Sequence, residues 1–203
     1  MQNELVKIEC CRAKDSCPRA LGDPGELVKY VTEALKNTNY SLRRQKVLQD
    51  SLKHSKVFKI SLAGCPNCCS QPQIKDFGAY KAIYPEVFEE KCTLCENCIR
   101  QCREGALFLD GSNKVLVDLE KCIGCGDCLK FCAQEAISTG QEFWRLIVGG
   151  KLGRHPQLAV KIADVACKED IRPYLEKYLE IQLDSKDPHL RLGDLINKES
   201  IKE

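Results

Sequence analysis

Residues 91–107, KCTLCENCIRQCREGAL, recur as residues 121–137, KCIGCGDCLKFCAQEAI, at an offset of 30 positions. Each copy contains four cysteines spaced C-x2-C-x2-C-x3-C, and Ala106 of the first copy corresponds to Ala136 of the second. A duplication that places four thiols within eleven positions predicts two copies of one metal-binding unit.

The spacing within each copy is that of bacterial two-cluster ferredoxins, in which the fourth cysteine of one run binds the cluster of the other run. A [4Fe-4S] cubane has iron at four corners, so each cluster takes four thiolates. Crossed ligation predicts a first set of ligands: Cys92, Cys95, Cys98 and Cys132. The predicted second set is Cys102, Cys122, Cys125 and Cys128.

The main alternative to a pair of cubanes is a pair of zinc ribbons. Zinc ribbons separate two C-x2-C knuckles by about 12 to 20 residues, which differs from the spacing seen here. Arg103 and Ala133 stand where a proline usually follows the fourth cysteine, and we expect this change to leave ligation intact. Between the two runs, residues 106–122 predict two short strands around an Asp110-Gly111 turn.

Composition and charge exclude several other classes of protein. The chain has 203 residues with 15 cysteines and a net charge of +2, so it lacks the basic excess typical of nucleic-acid binding. The N-terminal sequence MQNELVKIECC has no signal-peptide pattern, and no apolar run reaches the roughly 18 residues of a membrane span. We therefore expect a cytoplasmic protein, in which clustered thiols more often bind metal than form disulfides.

The duplicated region, residues 91–139, reads as an insert in a larger domain made of residues 1–90 and 140–203, here called the frame. Asp23-Pro24 predicts the start of a helix, and KVFKISLAG (56–64) and FWRLIVGG (143–150) predict strands. A second helix is predicted over IRPYLEKYLEIQL (171–183). This mixture predicts an α+β frame with a ferredoxin insert.

Apolar residues at helical spacing predict which faces of the two frame helices are buried. For the first helix these residues are Leu27, Val31, Ala34 and Leu35. For the second helix they are Ile171, Leu175, Tyr178 and Leu179. The charged stretch SLRRQK (41–46) and the stretch KHSK (53–56) are interpreted as solvated helix faces.

Seven cysteines remain in the frame, and four of them occur as pairs in two loops. Cys11 and Cys17 have the spacing C-x5-C, and Cys65 and Cys69 have the spacing C-x3-C. Each loop offers two thiolates, so together they could bind a third cubane. Spacing alone leaves this site and a mixture of buried free thiols equally open.

Four motifs occur in the order seen in the sulfite and nitrite reductase family, and they resemble its siroheme-and-[4Fe-4S] domain. They are CRAKDSCPRALGD (11–23), GCPNCCSQPQIKDFG (64–78), VGGKLGRHPQLA (148–159) and RLGDLINKESI (191–201). An insert between the second and third motifs resembles the arrangement in dissimilatory and anaerobic sulfite reductase subunits. The resemblance implies a siroheme-type mixed sheet with helices, carrying a two-[4Fe-4S] ferredoxin insert.

The resemblance also implies a frame set of cluster ligands: Cys11, Cys17, Cys65 and Cys69. Cys69 falls on the position whose thiolate bridges the cubane to the siroheme iron. Lys151 and Arg154 could face the siroheme carboxylates. Cys68 is interpreted as a buried bystander and Cys167 as a core residue, while Cys10 would replace Cys11 if the register slipped by one.

The implied function is an oxidoreductase that reduces sulfite, nitrite or a related oxyanion with electrons from an external donor. The electrons would pass through the two ferredoxin cubanes to a cysteine-bridged siroheme-[4Fe-4S] centre. Relatives carry a portion before the C-x5-C loop that supplies basic residues to the substrate, and we expect this chain to lack it. A second chain or self-association would then complete the pocket, and no catalytic residue is assigned. The alternatives are an electron carrier without siroheme and an assembly subunit of a larger redox complex.

Overall fold

The computed structural model of the chain describes residues 5–48, 57–185, 187 and 190–196. Its strands are β1 (Val6–Cys10), β2 (Phe58–Ala63), β3 (Phe77–Val87), β4 (Leu107–Leu109), β5 (Val115–Val117), β6 (Ile137–Val148) and β7 (Val160–Val165). Its helices are α1 (Pro24–Asn37), α2 (Tyr40–Leu48), α3 (Asn97–Gln101), α4 (Asp127–Phe131), α5 (Ile171–Asp184) and α6 (Leu192–Leu195).

The frame is built on one mixed sheet with the strand order β1-β2-β3-β6-β7. The strands β1, β2 and β3 are parallel to one another, while β6 is antiparallel to both β3 and β7. Because β1 and β2 are parallel and adjacent, the loops that follow them leave the sheet at the same end, where both strands have their carboxyl ends. The predicted α+β fold of mixed sheet and helices is confirmed.

The duplicated region lies at the far end of a long β3–β6 pair. Pairing runs from Phe77 opposite Val148 to Val87 opposite Ile137, with a shift in register between Tyr84 and Pro85. Everything between Val87 and Ile137 therefore leaves and rejoins the sheet at neighbouring positions. This geometry explains how a segment of this size can be accommodated without disturbing the order of the strands.

Helix α1 begins as the sequence predicts. The Asp23 carboxylate accepts a hydrogen bond from the Gly25 N–H at 2.6 Å, and Pro24 occupies the first turn, where its missing N–H costs nothing. The four apolar residues predicted to face the core are all buried in α1, and the same is true of the four predicted for α5. These faces pack against the sheet in one apolar core that includes Phe58, Phe77 and Leu146.

Within the duplicated region, each short helix contains the third cysteine of a run: Cys98 lies in α3 and Cys128 in α4. The predicted pair of strands between the runs is present as the antiparallel ribbon β4–β5. The Asp110 carboxylate closes its loop by accepting N–H bonds from Ser112 and Lys114. A small apolar cluster of Leu107, Val115 and Ile137 packs against Cys98.

Two predictions about single residues are wrong. Arg44, interpreted as part of a solvated helix face, is fully buried in α2 and donates a hydrogen bond to the Gln182 carbonyl at 3.0 Å. Cys167, interpreted as a core residue, is exposed in the connection between β7 and α5. The KHSK stretch lies outside the described residues. Among the helices of the described ranges, none combines the length and the apolar character needed to cross a membrane.

Candidate iron–sulfur centres

The structure brings all four thiols of the first set to one cavity. Cys92, Cys95, Cys98 and Cys132 line it, although Cys132 belongs to the other cysteine run. Apolar side chains such as Val87, Phe131 and Ile137 form part of the wall. The fourth cysteine of the second run therefore joins the first three of the first run, as crossed ligation predicts.

The second set is arranged in the same way. Cys102 from the first run and Cys122, Cys125 and Cys128 from the second run line a separate cavity. Three frame residues, Arg19, Asn67 and Pro85, also line this cavity. The duplicated region thus contains two four-thiol cavities, and each run exchanges its last cysteine with the other.

The backbone of each run curls tightly around its first three cysteines. Leu94 and Glu96 have φ angles of 56° and 58°, and the equivalent residues Gly124 and Gly126 have φ angles of 74° and 71°. Left-handed conformations at these alternating positions reverse the chain between successive cysteines. Similar backbone conformations in the two copies show that the sequence repeat is also a structural repeat.

The fourth cysteine of each run accepts a hydrogen bond from the backbone. The Ala106 N–H donates to the Cys102 sulfur at 3.3 Å, and the Ala136 N–H donates to the Cys132 sulfur at 3.2 Å. N–H donors favour the thiolate form of a sulfur and tune the potential of a cluster bound to it. The alanine repeated in the sequence therefore occupies an equivalent position beside each of these two sulfurs.

The frame set lines a third cavity at the edge of the sheet. Cys11 follows β1 directly, Cys17 lies in the loop before α1, and Cys65 and Cys69 follow β2. The Gly64 N–H donates to the Cys11 sulfur at 3.4 Å, and the Asn67 side chain donates to the Cys69 sulfur at 3.0 Å. The parallel pairing of β1 and β2 is what brings these two distant loops together.

Cys10 and Cys68, which neighbour ligands of the frame set in the sequence, have different surroundings. Cys10 ends β1, and its S–H lies 3.4 Å from the Cys11 carbonyl rather than on the cavity wall. Because the Cys10 thiol lies away from the cavity wall, the structure favours Cys11 over Cys10 as the ligand. Cys68 is buried and lines the cavity with the frame set, and its S–H points toward the Cys65 carbonyl at 3.7 Å. The bystander role of Cys68 stays a prediction.

Burial raises the pKa of several of these thiols. The pKa of Cys128 rises to about 12, with further contributions from the neighbouring Cys125 and Cys122, and the pKa of Cys68 also rises to about 12. The Arg19 N–H lowers the pKa of the Cys17 thiol. Thiols with a raised pKa are protonated without metal, so iron must displace their protons when it binds.

Each donor set has the composition that a cubane takes, four thiols around one cavity. Within the described part of the chain, no group of three or more His, Cys, Asp or Glu side chains is arranged to hold one metal ion. A cubane does not require its ligands to converge on a point, because each thiolate binds a different corner iron. Four thiols distributed around a cavity, some with N–H donors on sulfur, match this requirement.

The two predicted siroheme cations have other surroundings. The Lys151 ammonium contacts the Asp194 carboxylate and its side chain is only 11% exposed, while Arg154 lies exposed in the following loop. Neither is among the described residues that line the frame-set cavity. Gln157 donates to the carbonyls of Gly149 and Gly193, both at 2.6 Å. The third and fourth sequence motifs therefore bind each other.

Sequence reasoning missed Arg19 and Asn67. Both side chains line the second-set cavity and the frame-set cavity, and Asn67 also bonds the Cys69 sulfur. A signal for them does exist, because each residue is the third of a Cys-Pro-X triplet that begins with a predicted ligand. Proline fixes the direction of the chain after the ligand and thereby positions the next side chain.

Comparison with known proteins identifies relatives of this chain. The chain is 34% identical over 171 residues to the coenzyme F420-dependent sulfite reductase of Methanocaldococcus jannaschii, a match that covers 84% of this chain and 25% of that protein. Its fold is similar to the crystal structure of dissimilatory sulfite reductase I (DsrI), with a TM-score of 0.60 at 16% identity. That match covers 95% of this chain and 49% of the other.

The chain therefore spans about a quarter of the curated relative and about half of the structural neighbour. Residues 2–203, nearly the whole chain, match the family described as the nitrite and sulphite reductase 4Fe-4S domain. A match to this domain supports at least one iron–sulfur cluster in the protein. The chain belongs to the nitrite and sulphite reductase 4Fe-4S domain family.

Proposed function

We propose that this chain is the siroheme- and cluster-binding part of an oxidoreductase that reduces sulfite or a related oxyanion. The observation that carries the proposal is the presence of three separate cavities, each lined by one predicted set of four cysteines. In this reading, residues 91–139 form a two-cubane ferredoxin insert, and residues 1–90 and 140–203 form the siroheme-[4Fe-4S] domain. The sulfite reductase with 34% identity supports the class of reaction.

The proposed cofactors are three [4Fe-4S] clusters and one siroheme, which supply one-electron transfer and an iron centre for reduction of the oxyanion. The protein's part is to hold them and to set their surroundings. The first and second sets would hold the two insert clusters, and the frame set would hold the third. The N–H bonds to the sulfurs of Cys102, Cys132 and Cys11 would favour the thiolate forms that iron requires.

The exposure of Cys69 supports its proposed role as the bridging ligand. Cys69 is the exposed member of the frame set, whereas Cys11, Cys17 and Cys65 are each only partly exposed. This exposure supports Cys69 as the ligand that a second iron could share. Asn67 donates a hydrogen bond to this sulfur and would hold it in one orientation. A role for Lys151 toward siroheme would require that its ammonium leave Asp194, whereas Arg154 is exposed.

The substrate and partners follow from the chemistry of the reaction. A dianion bound at an iron centre needs several cationic donors, and we assign no complete set of them within this chain. A second chain or a second copy would supply the remaining donors. An external protein would supply electrons, because the reduction of an oxyanion consumes several electrons and the clusters carry them singly.

The proposal is tested by extracting tetrapyrrole from protein purified anaerobically from cells that make siroheme. We expect siroheme in the extract and siroheme-type bands in the ultraviolet-visible spectrum, superimposed on iron–sulfur absorption. An iron–sulfur spectrum with no extractable tetrapyrrole would contradict the reductase proposal and favour an electron carrier. The same preparation, assayed for sulfite and nitrite reduction with a reduced viologen dye, compares the two substrates.

A further inference from the structure

The two halves of the cysteine repeat differ at two matched positions. At the 30-residue offset, Leu94 corresponds to Gly124 and Glu96 corresponds to Gly126. All four residues have left-handed φ angles, between 56° and 74°. Leucine and glutamate adopt this conformation in the first loop, so the φ angle alone does not account for glycine in the second.

Packing explains the glycines. A Cβ atom on Gly124 would lie 2.9 Å from the Ala82 Cβ and 2.9 Å from the Ile83 carbonyl oxygen, and a Cβ on Gly126 would lie 2.9 Å from the Ile83 Cδ1. The Ile83 N–H also donates a hydrogen bond to the Gly124 carbonyl at 3.0 Å. The second loop therefore lies directly on β3, and at Gly124 the Ala82 Cβ and the Ile83 backbone leave room only for glycine.

The first loop is exposed to solvent. Leu94 is 44% exposed, Glu96 is exposed, and the adjacent ligand Cys95 is exposed as well. All four thiols of the second set are only partly exposed. The repeat is thus symmetric in its ligands but not in its surroundings, since one loop is docked on the frame and the other meets solvent.

A junction joins the docked loop to the frame set. One cavity is lined by residues of both sets, Cys65 of the frame set and Cys125 of the second set. Arg19, Asn67 and Asp127 also line it. The Arg19 guanidinium lies 3.9 Å from the Asp127 carboxylate, and Asn67 bonds the Cys69 sulfur on the other side. The junction therefore contacts ligands of both sets.

We propose that the second set passes electrons to the frame set across this junction, while the first set receives them from the external donor. Gly124 is a positioning residue that allows the close approach, and Arg19 lies between the two centres. With clusters held by both sets, each transfer would move one electron, oxidising the second-set cluster and reducing the frame-set cluster, and no bond would form or break. This inference rests on the proposed function, because it requires clusters at these sets.

The test exchanges the loop residues between the two copies. The docking variant Gly124→Leu/Gly126→Glu installs the first-loop residues in the second loop, and the reciprocal variant Leu94→Gly/Glu96→Gly is its matched control. Each protein is mixed anaerobically with a reduced two-cluster bacterial ferredoxin as the electron-donor probe. Reduction of the insert centres and of the frame centre is followed separately by rapid-freeze electron paramagnetic resonance, and exchange of the Ile83 amide by mass spectrometry.

We expect the docking variant to keep its iron and its rate of insert reduction, while reduction of the frame centre slows severalfold and the Ile83 amide loses protection. The reciprocal variant should keep Ile83 protected and transfer electrons from insert to frame at the wild-type rate. The inference is overturned if the frame centre of the docking variant is reduced at the wild-type rate. It is also overturned if the docking variant slows insert reduction, because the donor would then use the second set.

A milder variant covers the case in which the docking variant does not fold. Arg19→Gln changes a side chain that is 58% exposed, and its control is Arg172→Gln, an exposed arginine of α5 that is not among the described residues lining the second-set cavity, the frame-set cavity or the junction. Only Arg19→Gln should slow reduction of the frame centre, and equal rates in both variants would contradict the proposal. If wild-type protein contains all three clusters but the frame centre is not reduced after the insert centres, this inference is overturned and the proposed function is not. Wild-type protein without tetrapyrrole contradicts the proposed function instead, and Ile83 exchange still tests the docking.

Discussion

The guanidinium group of Arg191 contacts both carboxylate oxygens of Asp76, at 3.2 and 2.7 Å, across 115 positions of sequence. Asp76 is fully buried, and its carboxylate also accepts the Lys59 N–H at 2.9 Å. Its carbonyl accepts the Gly149 N–H. One aspartate of the second sequence motif therefore holds the third and fourth motifs against the sheet.

Removing the cation from this pair should be costly. Arg191→Leu leaves the Asp76 carboxylate buried without its counter-charge, and loss of one partner of a buried ion pair typically costs about 3–5 kcal/mol. We expect a clear fall in the urea midpoint, measured anaerobically by circular dichroism. Arg172→Ala removes an exposed arginine paired with Glu176 and serves as the control. Equal midpoints for the two variants would contradict the structural role of the pair.

Cys68 and Cys69 are adjacent but should respond differently to the same substitution. Cys69→Ser removes the proposed bridging thiolate, so we expect loss of the coupling between siroheme and cluster while both insert clusters stay. Cys68→Ser should leave the cofactors in place. Iron, sulfide and tetrapyrrole content, together with electron paramagnetic resonance spectra, distinguish the two outcomes. If Cys69→Ser lost all of its iron, the division into frame and insert would be wrong.

Crossed ligation predicts a pattern in double variants. Cys92 and Cys132 belong to one set although 40 positions separate them, so Cys92→Ser/Cys132→Ser should lose no more iron than either single variant. Cys122 and Cys132 belong to the same run but to different sets, so Cys122→Ser/Cys132→Ser should lose two clusters. Iron and sulfide determined per chain provide the measurement. The opposite pattern would mean that each run binds its own cluster.

Features that depend on local spacing could be predicted from the sequence. The spacing of apolar residues that places Leu27 and Leu175 in the core can be read within a single helix. Both residues are fully buried. The grouping of the first and second sets followed from a known spacing, and the cavities group the same cysteines. The ferredoxin module and its clusters stay proposals that these cavities support.

Features that depend on tertiary contacts could not be predicted. Nothing near Arg44 in the sequence signals that α5 will cover it and offer the Gln182 carbonyl as acceptor. The carboxylate that Lys151 contacts lies on α6, 43 positions away in the sequence, so local spacing does not predict this ion pair. The glycine pair of the second loop was visible in the sequence, but its meaning depends on contact with β3.

We propose that each of the three sets of four thiols holds a [4Fe-4S] cluster. Acid-labile sulfide tests it most directly, because siroheme contributes iron but no sulfide. We predict about twelve sulfides per chain in anaerobically purified protein, four for each cubane. About eight sulfides or fewer in protein with full tetrapyrrole content, or zinc in place of iron, would contradict the claim.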